Sequence, residues 1–302
     1  MTAGDLMAVV PPGSRLSGPG FSRPGLSGKS FAGTAGGRNT GQMAAGRTFE
    51  ELLAEGEAEP VEGWDFSWFD GRATEERPSW RYSRLLAERM AGATAALDIQ
   101  TGGGEVLAQI PHPPPTLAAT ESWPPNIAVA RRNLGPLGAS VTEVDDLADL
   151  PFPAESFDLV VSRHPTDVRW EEIARVLRPG GTYLSQQVGA GTNRELYEFM
   201  MGPQPANNDR SPQLAAAAAE AAGLVVIDLR EQALRVEFYD IAAVVYFLRK
   251  VLWTVPGFTV DGYRDQLARL HDRILREGPF VAHSQRFLIE ARRPQRSAAA
   301  DK

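Results

Sequence analysis

The chain has 302 residues, of which 43% are hydrophobic, and its 31 basic and 38 acidic residues give a formal net charge of -7. This composition is typical of a globular protein, and no apolar run reaches the roughly 18 residues that a membrane-spanning helix needs. Because the chain has no cysteine, it cannot form a disulfide, a thiolate nucleophile, a Cys-ligated zinc site or an iron–sulfur cluster. The acidic charge balance favours a small-molecule ligand over nucleic acid, and we expect a cytoplasmic protein with no membrane partner.

The two ends of the chain have patterns that do not predict a packed fold. Residues 1–46 contain eleven of the 29 glycines and a single acid, without a sustained apolar period. We therefore expect a disordered leader over 1–46, and a flexible tail over 294–302 where the last strand pattern stops. Helical patterning begins after the leader, so 47–92 is predicted to be an N-terminal helical segment. Its Trp80 and Tyr82 either cover a planar ligand as a lid or pack onto the sheet.

The middle of the chain alternates short apolar runs with helical stretches, which is the pattern of an α/β domain. Over 93–293 we expect a Rossmann-like, mostly parallel sheet of seven strands with helices on both faces. The last strand alternates apolar and polar residues, which suits an antiparallel position, and a helical insertion over 239–283 would form a cap. The predicted strands are 95–98, 116–120, 140–144, 157–162, 182–188, 224–229 and 285–291. The predicted helices are 126–134, 170–177, 214–222, 241–253 and 263–277.

The most informative segment is the first of these strands, which ends in an acid and enters a glycine-rich turn. Asp98 is followed by Gly102, Gly103 and Gly104, and the pattern predicts a helix after them. Glycine allows a positive φ and lets a ligand approach the backbone, and a following helix would offer free N–H groups. A tight turn without a ligand is the simpler alternative. A dinucleotide site is disfavoured, because G-x-G-x-x-G counted from Gly102 has Leu107 where the third glycine belongs.

This segment resembles the first motif of the class I S-adenosylmethionine-dependent methyltransferases, acid-x-G-x-G-x-G at the end of the first strand. Asp98, Gly102 and Gly104 match that motif, and Gln100 stands in the place of its first glycine. The resemblance implies that S-adenosyl-L-methionine binds against this turn, including Gln100 and all three glycines. It continues along the chain and is clearest over residues 91–188.

Two further acids follow the next two predicted strands. Glu121 ends the second strand, where a carboxylate can accept hydrogen bonds from both ribose hydroxyls, and the resemblance implies this role; a solvated loop acid is the alternative. Asp146 comes four residues before the Leu-Pro-Phe stretch 150–152. The resemblance implies that Asp146 receives the adenine amino group and that the N–H of Leu147 reaches the ring. Asp145 is the rival to Asp146, and a capping acid before a turn is the simpler alternative.

The fourth predicted strand ends in Ser162, Arg163, His164 and Pro165. In the family, the end of this strand faces the transferred methyl group, so the resemblance places Ser162 at the cofactor and makes His164 the candidate catalytic residue. Enzymes that methylate the amino groups of nucleic-acid bases usually have Asn-Pro-Pro-aromatic or Asp-Pro-Pro-aromatic here, which disfavours that activity. His164 either orients a nucleophile or removes a proton, because imidazole titrates near neutral pH, or it is a structural loop residue.

These features predict methyl transfer from S-adenosyl-L-methionine to a small-molecule acceptor by in-line displacement, a reaction that depends on alignment more than on a catalytic triad. The four histidines lack the spacing of metal ligands, so we expect a metal-independent reaction. One alternative is a ribosomal RNA base methyltransferase, whose basic patch would consist of Arg175, Arg178, Arg249, Arg292 and Arg293. The other is a non-catalytic protein that binds S-adenosylmethionine.

Overall fold

The computed structural model describes residues 46–61 and 66–295. The predicted leader therefore lies outside the described residues except for Gly46, and the predicted tail except for Pro294 and Gln295. Along the described ranges, no helix combines the length and the apolar content that crossing a membrane requires.

The described residues form an eight-stranded sheet with the strand order β1-β7-β8-β6-β5-β2-β3-β4. The strands are β1 (Ala73–Glu75), β2 (Ala95–Ile99), β3 (Thr116–Glu121), β4 (Ser140–Glu143), β5 (Phe157–Arg163), β6 (Leu177–Val188), β7 (Val225–Phe238) and β8 (Phe280–Arg292). All pairings among β2 to β6 are parallel, whereas β8 runs antiparallel to both of its neighbours, β6 and β7. The prediction of a mostly parallel sheet with an antiparallel last strand is confirmed.

The predicted number of seven strands is wrong, because β1 adds an eighth strand. This strand has three residues and pairs antiparallel with the end of β7, where Ala73 lies opposite Phe238. It lies inside 47–92, the segment predicted to be helical. Three residues are too few to show the period of two by which a strand is identified in a sequence.

Helices cover both faces of the sheet, as predicted. They are α1 (Phe49–Ala58), α2 (Tyr82–Gly92), α3 (Pro124–Leu134), α4 (Trp170–Val176), α5 (Arg194–Met201), α6 (Pro212–Ala221), α7 (Ile241–Lys250) and α8 (Arg264–Glu277). The adjacent β5 residues Leu159 and Val160 point to opposite faces, because side chains alternate along a strand. Leu159 belongs to the apolar cluster of α2 and α3, and Val160 to the cluster of α4 and α6.

The helix predicted directly after the glycine turn is absent from the described residues. The chain forms only a short 3-10 turn, Leu107–Gln109, before it leads into β3. The physical reason lies in the residues that follow, since Pro111 has no backbone N–H for a helical hydrogen bond and disfavours the helical conformation at Ile110. The N-terminal N–H groups of an α-helix therefore do not face the glycine turn.

The cap is built on the far halves of β7 and β8, which are longer than predicted. They have 14 and 13 residues and continue as a paired ribbon to Phe238 and Phe280. Helices α7 and α8 lie between them in sequence, within the range 239–283 where a helical insertion is predicted, and β8 already begins at Phe280. A separate apolar cluster joins this ribbon to α1, α5, α7 and α8; its members include Leu53, Leu196, Phe238, Phe247 and Leu270. The N-terminal helix α1 is therefore part of the cap.

The contact between α1 and α7 depends on Gly56. A Cβ atom at this position would lie 2.6 Å from the carbonyl oxygen of Ala242 and 3.0 Å from Cβ of Val245. We expect Gly56→Ala to lower the free energy of unfolding by about 1–3 kcal/mol, because the two helices must separate to admit the methyl group. Urea denaturation followed by circular dichroism measures this change. The matched control is Gly92→Ala at the end of α2, where a Cβ meets nothing within 4 Å. Equal stability of the two variants would contradict the prediction.

Candidate functional site

The candidate site lies at the edge of the sheet where the parallel strands β2 to β5 end. In open α/β sheets, ligands bind at the carboxyl ends of the strands. The register places Asp98 opposite Ala119 of β3 and Val161 of β5, with Glu121 two residues further along β3. The structure therefore brings the acids predicted at the ends of separate strands to one edge.

The glycine turn after β2 has the positive φ angles that its glycines allow. Gln100, Gly102 and Gly104 have φ angles of 56°, 64° and 74°, in the left-handed region that favours glycine. A Cβ at Gly104 would also lie 2.8 Å from Cγ of Leu134 in α3, so this glycine lets the turn approach that helix. Gly103 accepts a hydrogen bond at its carbonyl from Nδ2 of Asn133, at 2.8 Å. The turn is thus held against α3.

Glu121 joins the glycine turn to the start of α3. Its Oε2 accepts a hydrogen bond from the N–H of Gly102 at 2.7 Å, and its Oε1 accepts one from the N–H of Trp123 at 2.9 Å. The residue is 6% exposed, which rules out the alternative of a solvated loop acid. Each carboxylate oxygen has further lone pairs for a ligand hydroxyl.

Three poorly hydrated carboxyl groups meet at this edge. Burial raises the pKa of Asp98 to about 7, although the hydrogen bond from Oγ1 of Thr101, at 2.7 Å, favours the charged form. Burial also raises the pKa of Glu121, and the nearby Asp146 raises it further. Burial is again the main reason that the pKa of Asp146 is raised. A positively charged ligand would stabilise the charged form of all three groups.

The side chain of Gln100 crosses from the glycine turn to the turn after β5. Its Oε1 accepts a hydrogen bond from the N–H of Thr166 at 2.7 Å and lies 3.1 Å from Oγ1 of the same residue, and its Nε2 donates to the carbonyl of Asp167 at 2.9 Å. Oγ1 of Thr166 also lies 2.9 Å from Oδ2 of Asp146, to which it donates. The turns after β2, β4 and β5 are therefore tied together.

The hydrogen bonds of Gln100 and Thr166 hold these three turns close together, so the cleft between the turns is narrow. Asp146, Ser162 and Tyr183 are among the residues that line it, and the open space within it is about 20 Å³. This volume is enough for about one water molecule. A nucleoside ligand would therefore have to displace the turn at 165–168 to enter.

The two rival acids after β4 have different roles. Oδ1 of Asp145 accepts a hydrogen bond from the N–H of Leu147 at 2.9 Å, and both of these residues are exposed. Asp146 is half-buried and directed at the cleft through its contact with Thr166. The geometry thus favours Asp146 over Asp145 as a ligand-binding acid. The N–H of Leu147 is held by Asp145, so a ligand would compete with that carboxylate.

Ser162 lies in a buried network of hydroxyl groups at the end of β5. Its Oγ is 2.7 Å from the hydroxyl of Tyr183 and 2.9 Å from Oγ of Ser185, and the residue is 1% exposed. Its carbonyl accepts a hydrogen bond from the hydroxyl of Tyr82 at 3.0 Å. Tyr82, predicted as a lid or a packing residue, is therefore fixed to the strand end beside the cleft.

The predicted catalytic residue, His164, is a buried, neutral imidazole. Trp80 Nε1 donates to Oε1 of Gln186 at 2.8 Å, so Nε2 of Gln186 must donate to Nε2 of His164, at 3.0 Å. The ring proton of His164 consequently lies on Nδ1. Burial, together with the positive charges of Arg163 and Arg286, holds the pKa of His164 well below its ordinary value. In this arrangement His164 offers a hydrogen-bond donor rather than a base.

Thr166 and Gln186 are site residues that the sequence analysis missed. Gln186 and Gln187 interrupt the apolar pattern of a strand that is otherwise buried, which is a signal that the sequence does carry. Thr166 has no such signal, because its role depends on the approach of Gln100 from another turn. Among residues 46–61 and 66–295, no group of three or more His, Asp or Glu residues could hold a metal ion.

The comparisons with known proteins agree with this architecture. A family model described as a methyltransferase domain matches residues 97–185. The YcgJ protein from Bacillus subtilis has 18% sequence identity and a TM-score of 0.52, over 70% of this chain and 98% of that chain. A functionally unknown protein from Deinococcus radiodurans R1 has 17% identity and a TM-score of 0.51, over 81% of this chain and 98% of its own. No curated protein sequence matches the chain.

Proposed function

We propose that the chain is a class I S-adenosylmethionine-dependent methyltransferase, and that it transfers the methyl group to a small-molecule acceptor by in-line displacement. When bound, S-adenosylmethionine would supply a methyl group activated by its positively charged sulfur. The hydrogen-bonding groups at the sheet edge fit this cofactor once the turn at 165–168 is displaced. The glycine turn after Asp98 would hold it, Glu121 would accept hydrogen bonds from its ribose, and Asp146 would accept one from the adenine amino group.

The observation that carries the proposal is the cluster of three poorly hydrated carboxyl groups, Asp98, Glu121 and Asp146. Bringing acids together in a buried site is unfavourable, as their raised pKa values express. Donors of the bound cofactor would relieve this cost: the neutral ribose hydroxyls at Glu121, the neutral adenine amino group at Asp146, and a positively charged group of S-adenosylmethionine near Asp98. The chain's own part in the reaction is to bind the cofactor, to orient the acceptor and to exclude water.

A small-molecule acceptor is supported by the size of the cavity beside the site. The cavity has a volume of about 180 Å³ and lies where β6 ends, between Gly189, Ala190, the start of α6 and Gln285 of β8. Its walls include polar groups from three elements, which suits a compact polar molecule. A ribosomal RNA substrate would need an extended basic surface instead.

Four of the five arginines that could form such a basic surface, Arg175, Arg178, Arg249 and Arg293, are engaged within the chain, whereas Arg292 is exposed. Arg175 forms an ion pair with Glu172, and Arg293 one with Glu155. Arg249 donates to the carbonyls of Gly56 and Glu59. These contacts are structural, so they favour the small-molecule acceptor over RNA.

The test is incubation of the protein with methyl-labelled S-adenosylmethionine and a fractionated extract of the source organism. We expect label in a low-molecular-mass fraction and none in RNA, with extract lacking the protein as the control. Label in RNA alone would replace the proposal with the nucleic-acid alternative. Tight cofactor binding without label in any fraction would favour the non-catalytic alternative. Absence of cofactor binding in calorimetry would refute the cofactor site itself.

A further inference from the structure

Arg210 lies at the same edge of the sheet, between the turn after β5 and the turn after β6. Its Nη2 donates a hydrogen bond to the carbonyl of Thr166 at 3.3 Å, on the side of the cofactor cleft. Its own carbonyl accepts a hydrogen bond from the N–H of Ala190 at 3.2 Å, and Ala190 is a wall of the 180 Å³ cavity. Arg210 is thus positioned between the cleft and the cavity.

The guanidinium of Arg210 has hydrogen-bonding capacity that the protein does not use. It carries five N–H donors, of which one makes the long bond to Thr166. No carboxylate of the described residues lies within 4.0 Å of it. The side chain is half-buried. Burial lowers the pKa of Arg210, whereas the negative charge of Asp167 raises it by a smaller amount. A partly desolvated guanidinium without a carboxylate partner is costly unless a ligand supplies the anion.

A second unused donor belongs to Gln187, on the strand that pairs with part of the cavity wall. Gln187 is 8% exposed, and its Nε2 has no hydrogen-bond partner among the described residues. In the sheet register Gln187 is opposite Phe287, which forms part of the cavity wall, so both side chains share one face. Arg286, also in the wall, donates instead to Glu75 at 2.8 Å. Arg210 and Gln187 therefore leave donor groups unused near a cavity whose wall also contains the carboxylate of Glu231, and these donors suit a ligand with acceptor oxygens.

We propose that Arg210 binds a carboxylate of the ligand at this edge, and that the ligand is the methyl acceptor. The assignment to the acceptor rests on the proposed function, whereas carboxylate binding by Arg210 does not. A singly charged carboxylate fits better than a phosphate dianion, because Asp167 of the cofactor cleft and Glu231 of the cavity wall would repel the second charge. The amino-acid carboxylate of the cofactor is the other source of the same chemistry.

The experiment compares wild type with Arg210→Gln, and uses Arg230→Gln as the matched control. Arg230 is a more exposed arginine that is paired with Asp228. Benzoate and its neutral counterpart benzamide serve as acceptor probes in ligand-observed NMR, with and without S-adenosylhomocysteine. S-adenosylhomocysteine and methylthioadenosine, which lacks the amino-acid carboxylate, serve as cofactor probes in calorimetry.

We expect wild type and Arg230→Gln to bind benzoate roughly tenfold more tightly than benzamide, and Arg210→Gln to lose this preference. The affinity for S-adenosylhomocysteine should stay the same in all three proteins. Weaker S-adenosylhomocysteine binding by Arg210→Gln, with methylthioadenosine unchanged, would assign Arg210 to the cofactor and overturn the acceptor assignment. If neither probe pair responds, Arg210 binds no carboxylate.

Binding of benzoate and binding of S-adenosylhomocysteine are measured separately, so the failure of this proposal can be distinguished from the failure of the proposed function. Failure of wild type to bind S-adenosylhomocysteine would refute the cofactor site, yet the benzoate preference can still be measured without that ligand. If Arg210→Gln does not fold, Arg210→Lys replaces it. Lysine keeps the charge but loses the planar fork that binds a carboxylate through two parallel hydrogen bonds. A benzoate preference in Arg210→Lys as large as in wild type would then contradict the proposal.

Discussion

Glu121→Gln is expected to weaken S-adenosylmethionine binding by roughly 10- to 100-fold, because hydrogen bonds to a charged group each contribute about 1.5–3 kcal/mol. The amide keeps the size of the side chain but has only one acceptor oxygen. One of the two N–H groups now held by Glu121, from Gly102 and Trp123, would therefore face an NH₂ group. The variant loses both the proposed ribose contact and the support of the glycine turn. Isothermal titration calorimetry measures the affinity.

The matched control for Glu121 is Glu143→Gln. Glu143 lies opposite Glu121 in the register of β3 and β4, but it is exposed. Its replacement should leave the affinity unchanged, and thermal unfolding of both variants tests whether they remain folded. A folded Glu121→Gln variant that binds as tightly as wild type would show that Glu121 is not the ribose ligand.

The second large effect is a pH dependence that Asp98 imparts to both stability and cofactor binding. Its pKa in the folded protein is about 7, above the ordinary value of 3.8. A carboxyl group with a raised folded-state pKa stabilises the fold while it is protonated, and this stability is lost as the pH rises from about 4 to 7. The effect on unfolding is on the order of a few kcal/mol. Binding of a cation has the opposite trend, because it requires the charged carboxylate.

We therefore expect the affinity for S-adenosylmethionine to rise between pH 5 and pH 7, as the free energy of unfolding falls over the same range. Binding near pH 6 should release about one proton, which calorimetry detects in buffers of different ionisation enthalpy. Asp98→Asn should flatten both profiles, since the amide does not titrate. Unchanged profiles in this variant would assign the pH dependence to other groups, of which Glu121 and Asp146 are the nearest candidates.

The positions of the acids could be predicted from the sequence because each one follows an apolar strand. A parallel sheet brings the ends of its strands to a common edge, so Asp98 and Glu121 meet for a reason that the local pattern contains. The 3-10 turn at Leu107–Gln109 was also predictable in principle. Pro111 disfavours a helix at this position, but the prediction gave more weight to the glycine turn, which favours a following helix.

Other parts of the site depend on contacts between distant segments, which no local pattern contains. The path of the Gln100 side chain is one example, because its partners Thr166 and Asp167 belong to another turn. The proton position on His164 is a second, since it follows from a chain of hydrogen bonds through Gln186 to Trp80. Both required the three-dimensional arrangement, and both change the chemistry that the residues offer.

The hydrogen bonds from Gln100 to the turn at 165–168 also have a kinetic consequence. On the proposed function, a cleft with space for about one water molecule would admit the cofactor only after these hydrogen bonds break. Each round of cofactor exchange would then require one opening of the 165–168 turn. The rate of that opening would be an upper limit on steady-state turnover, whatever the intrinsic speed of the methyl-transfer step.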